Sequence, residues 1–404
     1  MHILYVHKNF PAQFGHVAAR LVHDRGYQCT FVTNLPGGDV SGIRRIHYEP
    51  RGGAKASTHY MARSFENAIA HSHGVYEACK AAGELKPDLI VAHSGFGSTL
   101  FLRELYDCPI INYFEYFYHA HGSDLDFRPQ FPPREQDVLR SYARNAMILL
   151  DLDNCDTGYC PTHYQRSLFP DNFADKLQVI FDGIDTDLWS PKANQPRVIQ
   201  GRAIDQDTRI VTYVSRGFEA MRGFDIFMQV AKRIYREEPN TIFVVVGEER
   251  TAYGGDEKHI SASSFLKHVL ARDEYDLSKF AFTGRLPPRQ LAEILAMGNL
   301  HLYLTVPFVL SWSLFNALSC GCTVVASNTP PVRELIEHET TGLLADFHDV
   351  DTFTKYALRV LRDPSEHRHM GETGRRLICE KYTVEQSISR MLQLYERVIS
   401  TARK

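Results

Sequence analysis

The sequence has no run of about 18 consecutive apolar residues, which is the length a helix needs to cross a bilayer, so we expect no membrane span. Its opening residues, MHILYVHKNF, include no apolar stretch of signal-peptide length, and we therefore expect no cleaved leader. An excess of one charge is also lacking, since 45 basic and 48 acidic residues leave a formal net charge of −3. This balance gives no support for nucleic acid as a partner.

Cysteine pairs with the spacing of zinc or redox sites are lacking as well. The eight cysteines are scattered, and the closest two, Cys320 and Cys322, do not form a CxxC motif. This usage favours a reducing, cytoplasmic setting. Residues 1–190 are slightly acidic, which argues against strong docking on anionic lipid, while peripheral contact with the inner face of a membrane stays open.

The length and the hydrophobic pattern predict two domains. A chain of 404 residues is too long for one ordinary hydrophobic core. Short apolar runs alternate with helical patterns over residues 1–190 and again over 205–383, and this alternation predicts parallel sheets covered by helices on both faces. We therefore expect an α/β protein with two Rossmann-like domains facing each other across a cleft. Residues 384–404 are expected to form a helix that packs back on the first domain.

Two arginines mark the first candidate binding segment. Ser215–Gly223 (SRGFEAMRG) lies where a strand is predicted to end and a helix to begin, and ligands bind at such carboxyl ends of parallel strands. Arg216 and Arg222 have the spacing to clamp a diphosphate from two sides, because a planar guanidinium engages phosphate oxygens bidentately. The alternative interpretation is a pair of solvated surface arginines.

A predicted helix N-terminus marks the second segment. In Pro307–Gly321 (PFVLSWSLFNALSCG), Ser311 is expected to cap a helix that Gly321 ends. The free N–H groups and the dipole of such an N-terminus favour a pyrophosphate. In the N-terminal loop Asn9–Gly15, Gly15 would let the backbone approach a ligand closely.

Polar residues also follow the predicted strands of the first half. His93 and Glu115 each come directly after an apolar run, and His119 and His121 lie just beyond. A strand-end position favours a site, although Glu115 among its aromatic neighbours also fits a structural, hydrogen-bonded carboxylate. One helix is expected over Arg134–Ile148.

Two DxD triplets resemble a metal-binding motif. They are Asp124-Leu125-Asp126 and Asp151-Leu152-Asp153. Such triplets arise easily by chance, and paired carboxylates alone are a weak signal for Mg²⁺. We interpret both as surface or capping residues and predict no metal site.

These landmarks together resemble the bacterial family-4 retaining glycosyltransferases, which have the GT-B fold. They occur in the family's order, namely the Gly15 loop, Phe181–Asp187 (FDGIDTD), the Arg216/Arg222 pair, Val246-Gly247, Phe282–Leu286 (FTGRL) and Asn316–Gly321 (NALSCG) through Gly342-Leu343-Leu344. The resemblance implies transfer of a sugar from a nucleotide diphosphate sugar, bound mainly by the second domain, to an acceptor bound by the first. It implies no cofactor and no required metal.

The resemblance also assigns roles to residues. Arg216 and Arg222 correspond to the basic pair that holds the donor diphosphate, and Arg285 lies where the nucleobase binds. The donor-binding candidates are Gly15, Arg216, Arg222, Gly247, Arg285, Ser311, Trp312, Ser313 and Asn316. The catalytic candidates are Arg216, Arg222, Glu115 and His119, and the acceptor-side candidates are His93, Glu115 and His121.

The sequence departs from the family at two positions. Relatives place two glutamates eight positions apart, the first contacting the sugar and the second holding the ribose, where this chain has Phe308 and Asn316. Asn316 still donates and accepts hydrogen bonds, whereas Phe308 can only pack. A non-catalytic partner subunit is therefore kept as an alternative. A nucleotide-sugar epimerase, which can use the same two-domain architecture, is kept as another. The identity of the sugar, base and acceptor, and a homodimer, stay open.

Overall fold

Two parallel β-sheets with flanking helices make up the computed structural model, which describes residues 1–35, 37–95, 99–192 and 195–402. The strands are β1 (His2–Val6), β2 (Gln28–Thr33), β3 (Ile43–His47), β4 (Leu89–His93), β5 (Ile110–Tyr113), β6 (Thr157–Cys160), β7 (Leu177–Val179), β8 (Val198–Ile199), β9 (Arg202–Ala203), β10 (Arg209–Gly217), β11 (Thr241–Glu248), β12 (Phe280–Gly284), β13 (Leu300–Tyr303), β14 (Val324–Ser327) and β15 (Leu343–Ala345). The helices are α1 (Gly15–Arg25), α2 (Arg63–Ala81), α3 (Glu135–Arg144), α4 (Ala146–Asn154), α5 (His163–Ser167), α6 (Phe224–Glu237), α7 (Phe265–Arg272), α8 (Pro288–Met297), α9 (Trp312–Ser319), α10 (Val350–Arg362), α11 (Pro364–Lys381) and α12 (Val384–Ala402).

The first compact unit contains residues 1–122, 133–183 and the chain from 384 onward. Within the described residues its sheet has the order β3-β2-β1-β4-β5-β6-β7, with every neighbouring pair parallel. The inner strand β4 is buried along its whole length, as expected for a strand covered on both faces. Helix α12 packs into the core of this unit, where the hydroxyl of Tyr395 lies 3.5 Å from that of Tyr5.

The second unit contains residues 123–132 and 184–383. Its parallel sheet has the order β12-β11-β10-β13-β14-β15 in the part of the chain that the structure describes, and β8 and β9 form a small antiparallel pair. In both sheets a helix follows most strands, so the α/β prediction with two Rossmann-like sheets is confirmed. None of the helices in the described ranges is both long and apolar enough to span a membrane.

The domain boundaries differ from the prediction, which assigned all of residues 1–190 to the first domain. Residues 123–132 belong to the second unit because Arg128, only 4% exposed, forms a 2.6 Å ion pair with Asp225. The Arg128 guanidinium also lies over the rings of Phe131 and Phe347. Residues 184–190 likewise belong to the second unit.

The single helix predicted over residues 134–148 is two helices, α3 and α4. They meet at Asn145, whose side-chain amide donates to the carbonyl oxygen of Tyr118 at 2.8 Å and accepts from its backbone N–H at 2.9 Å. Asparagine competes well for backbone hydrogen bonds, which favours it at helix ends. This paired contact fixes Tyr118 against the junction between the two helices.

Candidate functional site

Two arginines and a tyrosine lie together at the carboxyl end of β10, and we call Arg216, Arg222 and Tyr253 the arginine cluster. The Tyr253 ring centroid is 5.9 Å from the Arg216 guanidinium carbon and 5.2 Å from that of Arg222. Arg216 is exposed and its Nη1 lies 3.4 Å from the Tyr253 hydroxyl. Neither arginine forms an ion pair with a carboxylate among the described residues. The cluster therefore concentrates positive charge at the edge of the sheet where ligands bind.

Arg222 is 5% exposed and is fixed by the protein itself. Its guanidinium donates to the hydroxyl of Thr305 at 2.7 Å and to the carbonyl oxygen of Val309 at 3.2 Å. It also lies 5.8 Å from the centroid of the Phe308 ring, which in turn packs against Tyr253 with 5.6 Å between centroids. Phe308, at the position of a glutamate in the family it resembles, thus forms an aromatic wall beside the guanidinium.

A buried glutamate, Glu219, supports the loop that carries Tyr253. One oxygen of this fully buried side chain accepts the backbone N–H groups of Ala252, Tyr253 and Gly254 at 2.9–3.1 Å. The nearby Asp256 accepts the backbone N–H of Ala220, and burial raises the pKa of Asp256 to about 7. These contacts hold Tyr253 between the two arginines.

Tyr253 and Glu219 were not predicted from the sequence. Tyr253 follows β11 in Ala252–Gly255, where an aromatic residue beside two glycines at a strand end is the signal that was available. Glu219 lies between the two predicted arginines in the sequence, but its role depends on contacts with residues more than thirty positions away.

Helix α9 begins as predicted. The Ser311 hydroxyl caps it by accepting the backbone N–H of Ser313 at 3.2 Å, and the Ser313 hydroxyl lies 2.9 Å from that of Ser311. Trp312 is 46% exposed at the first turn. Asn316 is 7% exposed, and its side-chain amide forms no hydrogen bond with any described residue. The amide is not among the fully buried unsatisfied groups, so it reaches solvent and is available to a ligand with hydroxyl groups.

The other predicted donor-binding residues have different surroundings. Gly247 has φ +150°, and a Cβ there would collide with the carbonyl oxygen of Ser215, so only glycine fits. Arg285 is exposed just after β12. Gly15 lies in the first unit, where a Cβ would come within 2.7 Å of the Pro11 ring. The close approach at Gly15 is therefore to its own loop.

A pocket of about 300 Å³ lies at the carboxyl ends of β4 and β5, and we call it the β4–β5 pocket. It is lined by both predicted strand-end residues, His93 and Glu115, and by Ser94, Tyr118 and Arg144. The His93 Nε2 lies 3.7 Å from a Glu115 carboxylate oxygen, and the other ring nitrogen, Nδ1, donates to the carbonyl oxygen of Ser94 at 2.6 Å. The buried imidazole thus presents one edge to the carboxylate.

The interpretation of Asp151 as a surface or capping residue is wrong. It is fully buried and accepts a 2.8 Å hydrogen bond from the Ser94 hydroxyl, and burial raises its pKa to about 6. Its carboxylate supports the backbone beneath the β4–β5 pocket. In the other triplet Asp126 is an exposed residue of a turn, where its carboxylate accepts the backbone N–H of Ser123 at 3.0 Å. In the described part of the chain, no three His, Cys, Asp or Glu side chains are grouped as metal ligands.

The two remaining histidines lie outside the residues that line this pocket. His119 is exposed, and its Nε2 donates to the carbonyl oxygen of Leu168 at 2.8 Å. His121 is exposed in the segment that leads out of the first unit. The structure therefore brings His93 and Glu115 together, while His119 contacts a different part of the same unit.

Two family models match consecutive parts of the chain. The model described as "Glycosyl transferase family 4 group" matches residues 25–189, and "Glycosyl transferases group 1" matches residues 194–377. N-acetyl-alpha-D-glucosaminyl L-malate synthase of Bacillus anthracis is 23% identical over 223 residues, covering 55% of this chain and 54% of that protein. Alpha-maltose-1-phosphate synthase of Mycobacterium tuberculosis is 24% identical over 240 residues, covering 57% and 59%. The match thus spans little more than half the length of these relatives.

Solved structures resemble the chain over nearly its whole length. Sucrose-phosphate synthase from Thermosynechococcus elongatus has a TM-score of 0.77 at 19% identity, covering 99% of this chain and all of that one (100%). HepE from Anabaena, in complex with UDP and glucose, has a TM-score of 0.66 at 15% identity, covering 98% and 100%. At these identities the likeness concerns the fold alone.

Proposed function

We propose that this chain, which belongs to the family-4 glycosyltransferases with the GT-B fold, is a retaining enzyme that moves a sugar from a nucleotide diphosphate sugar to an acceptor. The second unit binds the donor, and the first unit binds the acceptor. The bond between the anomeric carbon and the diphosphate oxygen breaks, and the acceptor hydroxyl oxygen bonds to that carbon. The hydroxyl proton leaves with the diphosphate.

The arginine cluster is the observation that carries this proposal. Arg216 and Arg222 share the Tyr253 ring, at 5.9 and 5.2 Å, and have no carboxylate partner among the described residues. Guanidinium groups without counterions at a strand end fit a diphosphate, which offers oxygens for bidentate hydrogen bonds. Fixed donors of this kind stabilise the charge that develops on a leaving diphosphate.

Helix α9 supports the same donor. Its N-terminus, capped by Ser311, supplies the positive end of a helix dipole, which favours phosphate oxygens. The Asn316 amide, nearly buried and without a partner among the described residues, fits the ribose hydroxyls that a glutamate holds in the resembled family. In the complexes with HepE the bound molecules are UDP, UDP-glucose, and UDP with glucose, which makes a uridine donor the first to test.

We further propose that transfer needs no metal ion, because two guanidiniums and a helix N-terminus supply the positive charge that Mg²⁺ supplies elsewhere. Retention follows the resembled family, with attack on the same face that the leaving group departs. Transfer that persists in excess chelator supports this assignment, and complete loss restored by Mg²⁺ or Mn²⁺ contradicts it.

Phe308 favours a second candidate, a glycosyltransferase-like partner subunit without its own activity. Its ring fills the space beside Arg222 where the resembled family has a sugar-contacting glutamate, and a phenyl ring offers no hydrogen bond to a sugar hydroxyl. A chain of this kind would retain the nucleotide site yet fail to orient the sugar.

One experiment distinguishes the two candidates. The purified chain is titrated with UDP, GDP and ADP and with their glucose or mannose conjugates by calorimetry, and the same mixtures are followed for donor hydrolysis over hours. Micromolar binding together with hydrolysis or transfer supports the enzyme, and binding without turnover supports the partner subunit. Arg25→Gln, an exposed arginine at the end of α1, is the matched charge control.

A further inference from the structure

We propose that the β4–β5 pocket binds an acceptor that carries a phosphate or carboxylate group. The Arg144 guanidinium holds this anionic group, and an acceptor hydroxyl lies at the Glu115 and His93 end. This inference rests on the proposed transferase function and specifies the chemical class of its acceptor. The pocket volume, about 300 Å³, suits a small molecule.

Arg144 is a fixed cation with its hydrogen-bonding edge unused. Its guanidinium carbon lies 3.5 Å from the centroid of the Tyr118 ring, so the planar group stacks on the ring face. Tyr118 is itself held in place by the paired hydrogen bonds between its backbone and the Asn145 amide. Among the described residues Arg144 forms no ion pair and no hydrogen bond. Stacking occupies the face of the guanidinium and leaves its in-plane N–H groups for an anion.

A second arginine reinforces the positive potential at the same rim. Arg140 lies one helical turn before Arg144 on α3, and its guanidinium donates at 2.8 Å to the hydroxyl of Ser64, which also lines the pocket. Arg140, too, has no carboxylate partner in the described ranges. Two like charges at this spacing repel each other across a helix face, and a bound anion relieves the repulsion.

The strand-end part of the pocket lining has different chemistry. Glu115 is exposed and lies 3.7 Å from His93, so this end offers a hydrogen-bond acceptor beside an imidazole. A carboxylate here disfavours a second anionic group and favours a hydroxyl, which can donate to it. The pocket lining thus contains a guanidinium from α3 as well as a carboxylate from the end of β5. An acceptor with one acid group and a free hydroxyl matches both groups.

The test is equilibrium binding of three hexose probes to the full chain. D-glucose 6-phosphate and D-glucuronate carry the two candidate acid groups, and D-glucose carries neither; inorganic phosphate is titrated separately. We expect at least one charged hexose to bind about tenfold tighter than glucose, since a charged hydrogen-bonded contact is worth about that much or more. Arg144→Gln is expected to abolish the difference, and Arg144→Lys to retain part of it because the charge stays but the planar fork is lost.

Controls separate this inference from a structural role and from the proposed function. Arg25→Gln is expected to leave the preference unchanged, and the melting temperature of each variant reports whether Arg144 only stabilises the end of α3. UDP affinity, measured on the same samples, reports on the second unit. If the wild-type chain does not bind UDP, the transferase proposal is contradicted, and the preference for charged hexoses can still be interpreted by itself. Equal affinity for charged and neutral hexoses, no binding of any charged probe, or an unchanged preference in Arg144→Gln overturns the acceptor assignment.

Discussion

The Arg222 guanidinium donates a 2.7 Å hydrogen bond to the Thr305 hydroxyl. This contact connects the turn between β10 and α6 to the residues that follow β13. The same guanidinium bonds the carbonyl oxygen of Val309, so it braces the loop that leads into α9. Arg216 makes no comparable contact, because it is exposed and only its 3.4 Å approach to the Tyr253 hydroxyl involves a polar group. Arg222 therefore has a structural role in addition to its proposed role in binding, whereas Arg216 has only the proposed role in binding.

Replacing Arg222 is expected to lower stability as well as ligand affinity. Arg222→Ala leaves the Val309 carbonyl without this partner in a buried setting and removes one hydrogen bond of the Thr305 hydroxyl, which keeps its bond to the Val306 carbonyl; the loss costs about 1–3 kcal/mol. Urea unfolding measures the loss, and calorimetry with UDP measures the accompanying fall in affinity. Arg222→Lys is the partner variant and should recover part of both. An unchanged unfolding midpoint in Arg222→Ala contradicts the bracing role.

Replacing Arg216 is expected to affect binding alone. Arg216→Ala removes one exposed guanidinium with no ion-pair partner among the described residues, so the melting temperature should stay within about a degree of wild type, in line with the small effects of most surface substitutions. Nucleoside diphosphate affinity should fall by about tenfold or more, the value of a charged hydrogen bond to phosphate. Calorimetry that gives equal UDP affinity in both proteins removes Arg216 from the diphosphate clamp.

Much of the fold could be predicted from the sequence because its local signals agree with its tertiary contacts. The apolar run at His2–Val6 is β1, and Gly26, with φ +63°, ends α1 as expected of a glycine in the left-handed region. The segment 123–132 was assigned to the wrong unit because its position depends on the ion pair of Arg128 with Asp225, 97 residues away. The hydrophobic pattern within one segment carries no information about a partner so far away in the sequence.

The residues of the candidate site differ in the same way, because some are marked by local sequence signals and others depend on distant contacts. Arg216, Arg222 and Ser311 stand at strand or helix ends that a sequence pattern reveals. The stacking of Arg144 on Tyr118 was not predicted, since the pattern indicated one helix through Asn145 and gave no reason for a turn there. The hydrogen bonds between Asn145 and the Tyr118 backbone place Tyr118 beside the helix junction where Arg144 lies.

Stability is expected to depend on pH through Asp256. Burial raises its pKa to about 7 from 3.8, so between these values the unfolded chain has lost the proton that the native state keeps. The contribution of this group to stability is therefore fully present below pH 3.8 and is lost as the pH rises through 7, with a total of up to about 4 kcal/mol. Asp256→Asn keeps an acceptor for the Ala220 N–H and does not titrate. Urea unfolding should find this variant more stable than wild type at pH 8 but not at pH 4; a constant difference at both pH values contradicts the raised pKa.

Asn316 gives the most direct test of the proposed donor. Its amide is nearly buried and has no partner among the described residues, so Asn316→Ala should change the free energy of unfolding little. If the amide bonds the ribose hydroxyls, the same variant should weaken UDP binding by up to about tenfold, which corresponds to the loss of a neutral hydrogen bond of about 0.5–1.5 kcal/mol. Asn316→Glu should bind UDP at least as tightly as wild type, because an ionised acceptor makes stronger hydrogen bonds to hydroxyl groups. As a control, the affinity for UDP is compared with the affinity for uridine. Both molecules contain the ribose, and only UDP carries the diphosphate that the arginine cluster is proposed to bind. Equal UDP affinities in wild type, Asn316→Ala and Asn316→Glu, all weaker than millimolar, would leave the non-catalytic partner subunit as the better interpretation.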